Sequence, residues 1–136
     1  MSAQLDRLNR RMKAIPQAVR QAVVPALTTS GNELVSRMKA LAPERTGDLK
    51  ESIEATPPGQ STPPYSQPGG SRVAGELEVV VTAGNSGVRY PHLVEYGTAD
   101  TAAQPFFWPA FRLTRKRAAG RIKRAITKAV RQNWGT

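Results

Sequence analysis

Residues 17–41, QAVRQAVVPALTTSGNELVSRMKAL, decide the fold because they carry the longest regular apolar pattern in the chain. Steps of three, four and seven residues place the apolar positions on one stripe of a helix. Pro16 fits the first helical turn, and Pro43 ends the helix because proline keeps the preceding residue out of the α region. The pattern predicts a main helix over 17–41, kinked at Pro25, and a short helix before it near 2–14. The stripe comprises Leu5, Leu8, Met12, Ile15, Val19, Val23, Leu27, Leu34, Met38 and Leu41.

The length of 136 residues is that of one domain, so we expect a single domain over 1–136. The stripe is typical of a helix packed in the core of that domain, and a coiled-coil or partner-binding helix is the alternative. No apolar run is long enough to span a membrane, and the N-terminal residues lack the apolar stretch of a secretion signal. These features predict a protein without membrane contact that is made in a cytoplasm.

The chain offers little for catalysis or metal binding. It has no cysteine and one histidine, His92, which is too few ligands for a metal cluster. Glu51 and Glu54 are three residues apart, but their apolar neighbours look like packing positions rather than the setting of an acid–base pair. The glycine-rich turns lack the spacing of a phosphate-binding loop. We therefore expect no cofactor, no metal and no enzymatic activity; a small nuclease is the alternative, and it lacks a ligand set.

Short strands and a proline-rich segment occupy the middle of the chain. The patterns predict strands near 51–57 and 76–82 and a return strand at 88–90. The segment 56–72, TPPGQSTPPYSQPGGSR, holds five prolines and three glycines, which excludes a helix or a central strand. Loops of this length are usually functional or disordered. It is therefore either a mobile loop or an arm that becomes ordered on a neighbouring subunit.

Two short helical turns flank these strands. Thr46 or Asp48 is a candidate cap of the first, with Glu51 three residues after Asp48. Pro91 opens the second, and Gly97 is placed to close it in a left-handed conformation. The expected fold class is α+β, with the long N-terminal helix and a C-terminal helix packed on a small antiparallel sheet of three or four strands.

The last predicted helix, over 109–133, is strongly basic. All ten acidic residues lie at or before Asp100, whereas nine basic residues occur between Arg112 and Arg131; the net charge of the chain is +10. Such a surface attracts polyanions or an acidic protein. It would bind DNA phosphates without reading sequence, or it is a solvated or protein-facing helix. The candidates for contact with DNA or an acidic partner are Arg121, Lys123, Arg124 and Lys128.

Three blocks carry a family resemblance: APERTGDLKESI at 42–53, YPHLVEYGT at 90–98 and AQPFFWPA at 103–110. In this order and spacing they resemble the hallmark blocks of the HK97 gp10-like family of tailed-phage head–tail proteins. The resemblance runs from about residue 5 to 131. It departs from the family at Pro91, where a small residue is common, and in the proline-rich loop.

The resemblance implies a non-enzymatic component of the virion, made in the host bacterial cytoplasm and located in the neck or tail region. Such proteins form rings at the head–tail junction, as neck, tail-completion or tail-terminator subunits, and a prophage or gene-transfer-agent origin is equally compatible. The partners implied are further copies of this chain, in a hexameric ring, and the neighbouring connector and tail proteins. A basic module that binds DNA through the C-terminal helix is the alternative function, and the two are compatible if the helix lines the DNA channel.

The positions within these blocks have two possible roles, maintenance of the fold or direct contact between subunits. Glu95 stands near a helix end, where an acid is unfavourable to the helix dipole, so we expect it to have a basic partner, in this chain or in a neighbouring subunit. The candidate positions are Thr46, Gly47, Leu49, Ser52, Ile53, Tyr90, Glu95, Tyr96, Gly97, Thr98, Gln104, Pro105, Phe106 and Phe107.

Overall fold

The computed structural model describes residues 3–6, 17–43 and 47–133 and confirms the α+β class. Residues 3–6 are helical, and the remainder of the helix predicted near 2–14 lies almost wholly outside the described residues. The elements are α1 (Gln17–Leu41), α2 (Asp48–Glu51), β1 (Glu54–Thr56), β2 (Val80–Thr82), α3 (Pro91–Tyr96) and α4 (Phe107–Asn133).

Helix α1 has the bounds that the apolar stripe predicted, and it continues through Pro25; the kink there stays a prediction. Val19, Val23 and Met38 are buried along it, which supports the interpretation of the stripe as a core-packing face. Leu41, at the end of the stripe, is exposed instead. Two small residues in the middle of the helix, Ser30 and Gly31, are also buried.

The sheet is smaller than predicted. Among the described residues it has two strands, β1 and β2, paired antiparallel with Glu54 opposite Thr82 and Thr56 opposite Val80. The prediction of three or four strands was wrong because the return strand at 88–90 is reduced to a single bridge between Asn85 and Val88. The Asn85 side chain accepts hydrogen bonds from the N–H groups of Gly87 and Val88, which tightens the turn, and α3 begins at residue 91.

The proline-rich segment folds back on itself as a loop arm, which we define as residues 57–79. The N–H of Thr62 donates to the carbonyl of Arg72 at 2.7 Å, and the N–H of Ala74 donates to that of Gln60 at 2.8 Å. Thr62 is buried, and an ion pair of 3.0 Å joins Arg72 to Glu78. The arm therefore pairs with itself within one chain and does not require a neighbouring subunit for its backbone hydrogen bonds.

The apolar core joins segments from both halves of the described chain. It combines residues from α1, from the first sequence block, from the turn after β2 and from the start of α4. Burial of this surface is the main favourable term in folding. Its members are Met38, Ala42, Leu49, Ile53, Ala83, Val88, Phe106 and Ala110.

Helix α1 lies close to the sheet at Gly31. A Cβ atom at this position would lie 2.7 Å from Cγ1 of Val79 and 3.4 Å from Cβ of Ala55. A contact of 2.7 Å is too short for two carbon atoms, so the absence of a side chain is what allows the helix to lie against this part of the sheet.

We predict that Gly31→Ala destabilises the domain by about 1–3 kcal/mol, because the new methyl overpacks the helix–sheet contact. Gly120→Ala in α4 is the matched control. Its Cβ would meet only the guanidinium of Arg124 at 3.2 Å, which is the mobile end of a side chain. This variant should gain about 0.5–1 kcal/mol from helix propensity. Urea unfolding of both variants tests the pair, and equal stabilisation by both would contradict the close approach at Gly31.

Candidate functional site

The carboxylate of Glu95 caps the first turn of α4. Its Oε1 accepts hydrogen bonds from the N–H groups of Phe106 at 2.9 Å and Phe107 at 2.8 Å, and its Oε2 accepts one from Trp108 at 3.2 Å. A helix leaves the N–H groups of its first residues without intrahelical partners. The next residue, Pro109, has no N–H. One side chain from α3 therefore satisfies every free N–H of residues 106–109.

This arrangement corrects the expectation of a basic partner for Glu95 within the chain. The side chain is 7 % exposed and faces backbone N–H groups and the positive end of the α4 dipole rather than an Arg or Lys. The reason is that a helix N-terminus can stabilise a buried anion without a cation. The second and third sequence blocks thus meet in one structural unit.

The loop between α3 and α4 is closed by its own backbone. The N–H of Gln104 donates to the carbonyl of Val94 at 2.8 Å, and the N–H of Thr98 donates to that of Thr101 at 2.9 Å. Gly97 has φ 76° and ψ 176°, so φ is positive as expected but the residue is outside the left-handed helical region. A Cβ there would lie 2.7 Å from the nitrogen of Ala103. Glycine is required because the returning loop occupies the space of a side chain.

The first block is tied to the end of the sheet by Ser52. Its hydroxyl donates to the carbonyl of Leu49 at 2.6 Å and accepts from the N–H of Gly84 at 3.0 Å. Gly47, with φ 83°, is the N-cap residue of α2, Asp48 is the first residue of the helix, and Thr46 lies outside the described residues. The buried hydroxyl of Ser52 therefore links two segments far apart in the sequence.

Exposed apolar side chains lie on α3 and on the first turns of α4, and we call Tyr90, Leu93, Tyr96, Trp108 and Phe111 together the aromatic surface. Leu93 and Tyr96 follow Tyr90, the residue before α3, at helical spacing, and Tyr96 is 69 % exposed. The indole Nε1 of Trp108 donates to the hydroxyl of Tyr96 at 2.8 Å, and its ring packs edge-on against Phe111 at 6.1 Å. Exposed aromatic clusters of this kind are typical of protein-contact sites.

The candidate block residues differ in how far they are buried. Leu49, Ser52, Ile53, Glu95 and Phe106 are buried and maintain the fold, whereas the exposed ones are Tyr90, Tyr96, Thr98, Gln104 and Pro105. Gly47, Gly97 and Phe107 are half-buried. Burial therefore separates the block positions that pack inside the fold from those that are accessible at its surface.

The basic residues of α4 form two groups, one that pairs with α1 and one that is exposed to solvent. Arg121 faces α1, where its guanidinium donates to the carboxylate of Glu33 at 2.7 Å and to the hydroxyl of Ser30 at 3.0 Å. Arg117 contacts the same carboxylate at 3.5 Å. The hydrogen bond from Arg121 lowers the pKa of Glu33 below its ordinary value of 4.5, and the charges of Arg117 and Arg37 act in the same direction. The sequence contained no signal that paired Arg121 with Glu33.

The other three candidates, Lys123, Arg124 and Lys128, are exposed. With Arg131, Thr127 and Gln132 they line a shallow groove on the C-terminal half of α4. The structure thus brings these three together and separates Arg121 from them.

Two further classes of site find no support in the part of the chain that the structure describes. Residues 3–6, 17–43 and 47–133 contain no group of three His, Asp or Glu side chains arranged to hold a metal ion. His92 forms a hydrogen bond of 2.9 Å with Gln67 at the surface. Within the same residues, no helix combines the length and apolar character that crossing a bilayer requires.

The family model described as "Bacteriophage HK97-gp10, putative tail-component" matches residues 6–97, which is more than half of the chain. The match includes the first sequence block and most of the second, through Gly97, and it ends before the third block. No curated protein and no solved structure matches the chain.

We predict that Glu95→Ala lowers the free energy of unfolding by about 3 kcal/mol or more, because it leaves buried N–H groups without acceptors. Glu95→Gln keeps one acceptor oxygen and should lose roughly half as much. The exposed Glu54→Gln is the control and should change stability by less than about 0.5 kcal/mol. Denaturant unfolding of the three variants provides the measurement. A stable Glu95→Ala protein that fails to assemble would assign Glu95 to subunit contact instead.

We predict that Arg121→Gln raises the pKa of Glu33 toward 4.5 and flattens the acid limb of the stability curve. A carboxyl whose pKa is lower in the folded state contributes stability above its unfolded pKa. That contribution is lost as the pH falls below about 4.5, through the folded pKa. NMR titration of Glu33 and unfolding between acidic and neutral pH provide the measurement.

Arg112→Gln, which removes an exposed charge from the same helix, is the control for this pH effect. It should leave the Glu33 titration unchanged. Part of the acid limb will persist in both variants, because the hydrogen bond from Arg72 also lowers the pKa of Glu78. An identical Glu33 titration in wild type and Arg121→Gln would show that the pair does not form in solution.

Proposed function

Because this chain belongs to the HK97 gp10-like family of bacteriophage tail-component proteins, we propose that it acts at the head–tail junction as a neck or tail-completion subunit. The family supports a structural role in the phage particle. The proposal adds a position, the neck or the adjoining end of the tail, and an assembly, a hexameric ring. Further copies of the chain and the neighbouring connector and tail proteins are the proposed partners, and assembly takes place in the host bacterial cytoplasm.

The aromatic surface is the observation that carries the ring proposal. A ring is built from heterologous contacts, in which one patch of a subunit meets a different patch of the next. The aromatic surface on α3 and α4 offers the first patch. The loop arm offers a second, because Tyr65 and Val73 are 55 % and 62 % exposed. Arg89 stacks on the ring of Tyr65 at 3.7 Å from its centroid, which orients this side chain at the surface.

The buried block residues hold the fold together, so the aromatic surface and the loop arm remain available for contacts between subunits. The buried block residues satisfy one another within one chain, so a neighbour is not needed to complete the core. A preformed, rigid subunit loses less conformational entropy on assembly than a segment that folds on binding. The proposed mechanism is therefore docking of folded subunits through their exposed aromatic side chains.

We predict that Leu93→Asp/Tyr96→Asp weakens self-association by about 2 kcal/mol or more, roughly thirtyfold in Kd, because it places charges in the contact. Both residues are exposed, so the folded subunit should keep its thermal stability. Leu113→Asp is the control, since Leu113 is an apolar residue of α4 that is 68 % exposed and lies outside the aromatic surface. Native mass spectrometry and sedimentation of each protein, alone and with purified head or tail particles, provide the measurement.

A wild-type protein that stays monomeric with its head and tail partners, in a phage whose virions assemble without it, would reject the neck proposal. Equal loss of assembly in the double variant and in Leu113→Asp would reject the aromatic surface as the contact.

A further inference from the structure

We propose that the C-terminal half of α4 binds duplex DNA through its phosphates, at a basic strip formed by Lys123, Arg124, Lys128 and Arg131. The strip goes beyond the proposed role as a ring subunit, because it assigns a nucleic-acid ligand to a surface that the subunit contacts do not use. DNA binding by the purified chain also does not require a ring, so the two proposals fail independently.

The cations of the strip are available, unlike others on the same helix. Arg117 and Arg121 share the carboxylate of Glu33. The four residues of the strip are exposed and have no acidic partner among the residues that the structure describes. The last acid in the sequence is Asp100, before α4 begins. Their charge is therefore not neutralised within the described fold and remains available for an external anion.

The dimensions of the strip suit a phosphate backbone. From Lys123 to Arg131 the helix rises about 12 Å. Measured along the axis of B-DNA, this distance covers about three to four phosphates of one strand. Four cations thus face a comparable number of phosphates.

The composition of the groove favours DNA over an acidic protein. Every residue that lines it is polar or charged, with Thr127 and Gln132 completing the basic strip. The buried centre of a protein interface is usually apolar and depleted of charged residues, whereas contacts to the DNA backbone consist of charged and polar groups. The exposed aromatic side chains of α4, Trp108 and Phe111, lie at the other end of the helix.

The absence of aromatic residues favours a duplex over a single strand. Proteins that bind single-stranded nucleic acid stack bases on aromatic side chains. The sequence of α4 from residue 114 to 133 contains no Phe, Tyr or Trp. Within residues 114–133 the strip can therefore neutralise phosphates but offers no aromatic platform for unpaired bases.

The test measures binding of a random-sequence 30-base-pair duplex to the full chain as a function of salt concentration. The variant Lys123→Gln/Arg124→Gln/Lys128→Gln/Arg131→Gln should bind more weakly. The slope of log K against log salt should fall by up to about 3.6, since each phosphate contact contributes roughly 0.9. The control Lys39→Gln/Arg112→Gln/Arg115→Gln/Lys116→Gln removes the same charge from exposed positions outside the strip. It should keep most of the slope.

Two further measurements make the outcome decisive. The charge-preserving variant Arg124→Lys/Arg131→Lys should keep the slope, and thermal unfolding should show that the quadruple variants fold. Equal losses in the strip and control variants would reject a defined site in favour of net charge alone. Unchanged DNA binding, with lost binding to a tail or connector protein, would assign the strip to an acidic protein and overturn the proposal. Tighter binding to a single strand of the same length would also overturn it.

Discussion

The hydrogen bonds from the start of α4 to the carboxylate of Glu95 are the interaction on which the rest of the structure depends. A buried carboxylate is unfavourable unless hydrogen bonds replace its water, and here three backbone N–H groups do so. The bonds set where α4 begins and hold that end of the helix against α3. Phe106 and Ala110 then enter the core beside Met38, and the helix runs along α1 until Arg121 reaches Glu33. Loss of these hydrogen bonds would therefore also disturb the packing of the core and the contact between α1 and α4.

The remaining local features agree with this constraint. Pro109 occupies the position where an N–H would have no acceptor, and Gly97 provides the space through which the loop returns from α3 to α4. Ser52 uses the same kind of interaction, a side-chain oxygen that accepts a distant backbone N–H, to join α2 to the end of the sheet. Each motif looks like a separate turn in the sequence. In the structure, buried polar contacts join it to a second segment that is distant along the chain. This is why each block alone is a weak signature and the ordered set is more specific.

The sequence predicted the helices better than the sheet or the partners of polar residues. Periodicity gave the bounds of α1 and the end of α4, because these elements are long and amphipathic. The return strand predicted at 88–90 does not form. Three residues are too few to show a reliable strand periodicity, and the Asn85 turn before them and Pro91 after them leave no room for a strand ladder. The capping role of Glu95 was not predicted. The expectation considered only basic side chains as partners and not the N-terminus of a helix that the loop brings close to the carboxylate. The pair between Arg121 and Glu33 is a tertiary contact that only the packing of α1 on α4 creates.

The organisation of α4 makes an assembly role and a DNA role compatible on one helix. Its first turns carry Trp108 and Phe111 at the surface, its middle is held to α1 by Arg117 and Arg121, and its last turns carry exposed cations. The ion pairs in the middle separate the apolar region from the basic one, so a charge change at the C-terminal end need not disturb the aromatic contacts. Cations near the C-terminus are also favourable to the helix dipole, and the strip can therefore exist without destabilising the helix that presents it. A subunit that docks on its neighbours through one end of a rigid helix can in this way direct the other end toward a separate ligand.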